Sequence, residues 1–282
     1  MDDLSLVQSL NIREALIPNP APNPPRPLAY HERTNHILPI ESIALQGELN
    51  KLERYCQEYQ MSFNQNKCKV MIFNPQRAYA GMPKLTLSGM GDNFIEVVET
   101  FKLLGVKIRS DLKWWDNTDY ICQKGYKRLW VLRRLKIFGA SEKELLDVYQ
   151  KQVRSVLELA VPVWQPALTT QEKKQIERVQ KCALNIILGS NYIDYNHALN
   201  QLECENLEER RMKLCEKFAR KASKHLKYQN WLCRDLHEPA TRYTRAKDKK
   251  VKQEFLPVET RTDRFKKSPL PFLTEILNSK IK

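Results

Sequence analysis

The chain has 282 residues, enough for two modest cores, and sets 47 Lys+Arg against 33 Asp+Glu for a formal net charge of +14. A cation of this size is drawn to polyanions before any specific contact forms, so nucleic acid is the default partner, although the charge alone would equally suit a ribosomal protein or a membrane-surface binder. No run of about 18 apolar residues occurs, and acid stands where a signal peptide carries Lys or Arg, so no membrane partner and an intracellular location, nuclear or cytoplasmic, are expected.

In chain order, Met1-Asp2-Asp3 leads into Leu4-Ser5-Leu6-Val7, an acidic turn feeding a short apolar strand. Pro18 to Pro27 then holds six prolines in ten residues, which forbids helix and ladder pairing and predicts an extended linker. From Ile40 to Tyr59 the spacing of Ile43, Leu45, Leu49, Leu52, Tyr55 and Cys56 predicts an amphipathic helix. Strand patterns follow at Cys68 to Phe73, Leu85 to Leu87, Phe94 to Val98 and Phe101 to Ile108, with turn residues at Gly89 to Asn93, and together they predict a small antiparallel unit.

From Trp114 the pattern becomes helical. Ser141-Glu142-Lys143-Glu144 and Thr169-Thr170-Gln171-Glu172 both match capping boxes, each ahead of apolar residues at helical spacing, and Gly189 is placed to stop the second helix. Trp114 to Gly189 therefore predicts a three-helix bundle. A further helix is expected over Leu207 to Lys227, followed beyond Pro239 by an irregular basic tail. Leu207 to Lys267 alone holds 19 Lys+Arg against 9 Asp+Glu, so most of the net charge lies there.

Three features could carry chemistry. An acidic pair near a start methionine is commonplace, yet Asp2-Asp3 at the mouth of a strand is also the geometry that ligates Mg²⁺ against nucleotide phosphates. Such chemistry needs another carboxylate from a different strand, expected upstream of Met1. In the second feature, Thr100 to Ile108, Gly105 interrupts an apolar strand. A bulge in an ordinary buried strand is the plain explanation, and close approach of another backbone, with Lys102 and Lys107 near phosphates, is the functional one.

The third is Tyr120 to Lys136, where Lys124, Lys127, Arg128, Arg133, Arg134 and Lys136 share a helix with Ile121, Leu129, Leu132 and Leu135. Acids are absent from Tyr120 to Ala140, so no ion pairs one turn apart form inside this helix, which favours a phosphate-tracking surface over a merely solvated one. Tyr126 and Trp130 could stack on bases, although an aromatic at helical spacing ordinarily packs in a core. Cys215, His225, Cys233 and His237 lack paired-ligand spacing for zinc, and the odd, scattered set of seven cysteines suits reduced thiols. No glycine-rich phosphate loop, nucleophile elbow or His-Glu-x-x-His is present.

In order, these segments resemble the downstream half of a reverse transcriptase of the jockey-like non-LTR retrotransposons. Met1-Asp2-Asp3-Leu4-Ser5 resembles the end of the family's (Tyr/Phe)-x-Asp-Asp motif without its aromatic. Met61-Ser62-Phe63-Asn64 and Lys67-Cys68-Lys69-Val70-Met71 resemble the following palm segment. Phe101-Lys102-Leu103-Leu104-Gly105-Val106 is similar to the primer grip, and Asp111-Leu112-Lys113-Trp114 to the entry of the thumb. The likeness continues through Lys127-Arg128-Leu129, Pro162-Val163-Trp164, Ile176-Glu177-Arg178-Val179-Gln180-Lys181, Leu207-Glu208-Glu209-Arg210-Arg211 and Arg264-Phe265-Lys266-Lys267-Ser268-Pro269.

The resemblance implies an α+β chain: a partial antiparallel palm over 1–111, an all-α thumb over 112–189, and a basic helical extension with an irregular tail over 190–282. It implies RNA-directed DNA polymerisation as the parent activity, with Asp2 and Asp3 as Mg²⁺ carboxylates and Phe101 to Gly105 supporting the primer. Lys124, Lys127, Arg128, Arg133 and Arg134 would hold an RNA template and DNA primer or their duplex. The family's fingers and first palm carboxylate have no counterpart, so the expected role is duplex binding, inactive alone and completed by an upstream polymerase polypeptide. A non-catalytic nucleic-acid-binding module and a helical protein-interaction domain stay open beside it.

Overall fold

The computed structural model describes residues 45–73, 84–88, 93–225, 228, 232, 255, 258, 260 and 262–279. Asp2, Asp3, the strand at Leu4 to Val7 and the Pro18 to Pro27 linker lie outside them. The described residues are mostly helical with one small two-stranded antiparallel sheet, compatible with an α+β chain. The chain divides into two compact units, one ending at Leu112 and the other beginning at Lys113.

In the first unit, a helix over 45–58, here α1, lays Leu45 and Leu49 against a small core of Leu85, Leu87 and Ile95, to which Phe63, Cys68 and Val70 add. Leu85 and Leu87 point one way and Thr86 the other, the two-residue period of extended chain. Thr86 finds its partner in a side chain: its N–H donates to Gln46 Oε1 at 2.9 Å and its carbonyl accepts from Gln46 Nε2 at 3.0 Å. Glu53 accepts from the Ser88 backbone at 2.6 Å and hydroxyl at 3.1 Å. Side chains of α1 thus satisfy backbone groups that a neighbouring strand would otherwise take.

The expected antiparallel unit is correspondingly smaller. Cys68 to Phe73 and Phe94 to Val98 meet in a single parallel bridge, Val70 to Val97, and the ladder among the described residues is the hairpin of β1 (Thr100–Leu103) and β2 (Val106–Arg109). The sequence expectation of one strand over Phe101 to Ile108 is corrected here. Leu104 and Gly105, with φ of 47° and 88°, form a two-residue turn that folds the segment back on itself.

The second unit is all helical. Helix α2 (Trp115–Ile137) packs along α5 (Thr170–Leu188). Between them in sequence, α3 (Glu142–Val148) passes into a π-helical stretch (Tyr149–Arg154) and a last turn (Ser155–Leu157), and α4 (Val161–Trp164) follows left-handed Ala160. Ser141 and Thr169 each close the capping box that the sequence suggests, and Gly189, with φ of 61°, ends α5.

Helix α6 (Tyr195–Gln201) and α7 (Leu207–Ser223) complete the same core, α7 lying against α4, α5 and α9 (Pro269–Ser279). Helix α7 stops short of Lys227. The segment expected to be irregular carries α8 (Asp263–Lys266) and α9, which buries Leu273, Thr274 and Leu277. Its period was masked in the sequence by a short span and a helix opening on Pro269.

Core polar groups are tied together. Tyr149 Oη donates to Gln180 Oε1 at 2.5 Å, and Gln180 Nε2 donates to Tyr195 Oη at 3.0 Å and the Glu205 carbonyl at 2.9 Å. Tyr195 in turn donates to Glu177, which also accepts the Leu207 N–H at 3.1 Å. Burial pushes both tyrosine hydroxyls well above their ordinary value, so they remain neutral donors, and the network fixes the π-helical stretch, α5, α6 and the start of α7 in one register.

Candidate nucleic-acid interface

Helix α2 has a buried stripe and an exposed one. Ile121, Cys122, Gly125, Leu129 and Leu132 are buried, recurring every three or four residues as a helix seated on a core requires. Gly125 permits the contact: a Cβ there would meet Val179 Cγ1 at 2.9 Å and Leu157 Cδ2 at 3.2 Å. Asp116 in the first turn and Arg134 and Lys136 in the last match the helix dipole.

The opposite face carries Tyr126, Lys127, Trp130, Arg133, Arg134, Ile137 and the capping residue Phe138, all exposed. Trp130 is 59% exposed and Phe138 81%, so core packing is not the role of these rings. Arg134 stands over the Trp130 ring, 5.5 Å from its centroid. Among the described residues, no ion pair engages Lys127, Arg133 or Arg134.

The other cations of α2 are committed elsewhere. Arg128 donates to the Gln152 carbonyl in the π-helical stretch. Lys124 lies 4.8 Å from the Tyr120 ring centroid, and Lys136 Nζ donates to the carbonyls of Ile186 and Ile187 at 2.5 and 3.0 Å, closing the end of α5. Of the five expected phosphate-binding residues, Lys127, Arg133 and Arg134 therefore share the open face with two aromatic rings. Ile137 and Phe138 also belong to that face; their place about two turns beyond Trp130 was the available signal.

Helix α7 contrasts with α2 despite a similar basic composition. Arg210 pairs with Glu158 at 3.1 Å and Arg220 with Glu216 at 2.6 Å, and Lys213 pairs with Glu205. Arg211 is buried, with Nε donating to Gln165 Oε1 at 2.7 Å, and burial holds its guanidinium below the usual value. Surplus charge along a sequence is not surplus charge on a surface.

The residues of the expected primer grip fall in the hairpin. Phe101, Lys102 and Leu103 lie in β1, with Lys102 directly opposite Lys107, and Leu104 and Gly105 form its tip. Leu104 is 75% exposed. A positive φ is uncommon in a residue with a side chain of this size, and such positions concentrate where a chain contacts a partner.

Asp2 and Asp3, the expected Mg²⁺ carboxylates, lie outside the described residues, and no group of three or more His, Cys, Asp or Glu that could hold a metal occurs among those described. No described helix is long and apolar enough to cross a membrane. No protein-family model, curated protein or solved structure matches the chain.

Proposed function

We propose that this chain binds nucleic acid as a C-terminal portion of a retrotransposon-type RNA-directed DNA polymerase, holding a primer and template through the second unit. The observation that carries this reading is the exposed face of α2, where Lys127, Arg133 and Arg134 stand free of ion pairs among the described residues, on a segment with no acid from Tyr120 to Ala140. Such a face attracts a polyanion without first breaking internal salt bridges. The order of the reverse-transcriptase-like segments supports the polymerase part of the proposal. Phe101 to Gly105 would meet the primer, and Asp2 and Asp3 would hold Mg²⁺, which neutralises developing phosphate charge once a further carboxylate completes the site.

Binding of an RNA/DNA duplex measured across salt concentrations tests the reading. A steep linear fall of log affinity with log salt is expected, and replacing Lys127, Arg133 or Arg134 by Gln should each lower the slope by about one. A flat response removes the proposal and leaves a helical protein-interaction domain. Primer extension with Mg²⁺ tests the polymerase part: no incorporation is expected from this chain alone, and synthesis abolished by Asp2→Asn would show a complete site.

A further inference from the structure

The face of α2 carries more than charge. On a helix of 3.6 residues per turn, Tyr126, Trp130 and Ile137 fall within about 40° of one another, Arg133 and Arg134 lie on either side, and the capping residue Phe138 sits further round, beyond Arg134. Large apolar side chains gathered on one exposed stripe mark a contact surface rather than scatter. Phosphate binding alone does not need them. A double helix offers phosphates on its outside while its base faces stay stacked on each other, so flat rings on a convex helix find nothing in it to stack on. Unpaired bases do offer those faces, and rings interleaved with cations suit them in any sequence.

We infer that Tyr126 and Trp130, with exposed Phe138 beside them at the helix end, form a stacking platform for single-stranded nucleic acid, with Lys127, Arg133 and Arg134 along its phosphates. This rests on the nucleic-acid reading of the same face and narrows it to the unpaired stretch beside a duplex. Charge selects the occupant: a face with three cations free of ion pairs among the described residues, and no acid from Tyr120 to Ala140, fits a polyanion, whereas a second copy of the same basic face would repel it. The Arg134 guanidinium over the Trp130 ring restricts the indole before any base arrives, which lowers the entropy a stacked complex must give up.

The test compares a blunt duplex, the same duplex with a single-stranded oligothymidylate overhang, and the free oligothymidylate, each titrated into the full chain by fluorescence anisotropy. The overhang should strengthen binding about tenfold over the blunt duplex, Trp130→Ala should erase that gain, and Trp130→Phe should keep most of it. The part of the gain lost in Trp130→Ala should persist as salt is raised, because stacking releases no counterions, while the part lost in Arg133→Gln should shrink. Circular dichroism of each variant establishes that the helical unit is intact.

Equal affinity for blunt and overhanging duplexes overturns the inference, as does a gain that survives Trp130→Ala. If salt-dependent duplex binding remains in that case, the duplex reading stands and the stacking platform alone falls. If no oligonucleotide binds, both fall. Binding of phosphatidylserine vesicles that Trp130→Ala abolishes, with oligonucleotide affinity untouched, would assign the face to a membrane surface and overturn the inference as well.

Discussion

A methyl group added to Gly125 would meet Val179 Cγ1 at 2.9 Å. The β-branched Val179 has one favoured rotamer in a helix and cannot swing away, so α2 and α5 would have to separate. Alanine improves helix propensity by about 1 kcal/mol over glycine, but overpacking a close helix contact costs about 1–3 kcal/mol, and the second effect should win. Gly125→Ala is expected to lower the midpoint of urea unfolding of the helical unit, and an unchanged or raised midpoint would refute the close approach.

Lys136 separates structural from surface charge. Its ammonium reaches the Ile186 and Ile187 carbonyls, where the negative end of the α5 dipole lies. Lys136→Met keeps the aliphatic stem and should cost about 1 kcal/mol of stability, with little change in the salt slope of oligonucleotide binding. Arg133→Gln should do the reverse. Matched denaturant and binding titrations on the two variants decide whether the division of cations on α2 is right.

The start of α3 should respond to acid. The Ser141 N–H donates to the Glu144 carboxylate at 2.8 Å and its hydroxyl does so at 2.8 Å, and these bonds hold the carboxyl below its ordinary value of 4.5. A depressed folded value means that the contribution is present above 4.5 and disappears as pH falls through the lowered value. Glu144→Gln should therefore flatten the acid limb of a stability-against-pH curve while changing little at neutral pH, since glutamine can still accept from Ser141.

Thiol reactivity should follow burial. Burial pushes the Cys122 and Cys215 thiols up to about 12, and both are enclosed in the helical core, whereas Cys182 on α5 is exposed. Iodoacetamide near neutral pH should label Cys182 ahead of the other described cysteines and reach Cys122 and Cys215 only with unfolding, as read by peptide mass spectrometry. Early labelling of Cys122 would show that α2 does not seat on the core as described.

Helix starts were legible because their signals are local: Ser141 with Glu144 and Thr169 with Glu172 sit three residues apart, and Gly189 directly follows the last apolar turn. The buried face of α2 was legible from its period for the same reason. The fate of individual cations was not, since Arg211 enters the core and Lys136 reaches α5 through contacts made 46 and about 50 residues away. Trp130 and Tyr126 have the spacing of core aromatics, so their exposure was not legible, and it follows from α5 packing on the opposite side of α2. The strand expected over Phe101 to Ile108 failed on turn chemistry. Leu104-Gly105 lacks the Asn or Asp that usually announces a two-residue hairpin.

That last pair supports a test of the first unit. Leu104 holds a φ of 47° with its side chain 75% exposed, so it bears the cost of a left-handed conformation and of an apolar tip in water. Leu104→Asn suits the turn and should stabilise the hairpin by about 1 kcal/mol, read from the denaturant midpoint of the first unit. A residue kept at such cost is expected to serve a contact. If the hairpin supports a primer strand as proposed, the same variant should bind a primed RNA/DNA duplex less tightly even as it becomes more stable. Higher stability with unchanged affinity would remove Leu104 from the interface.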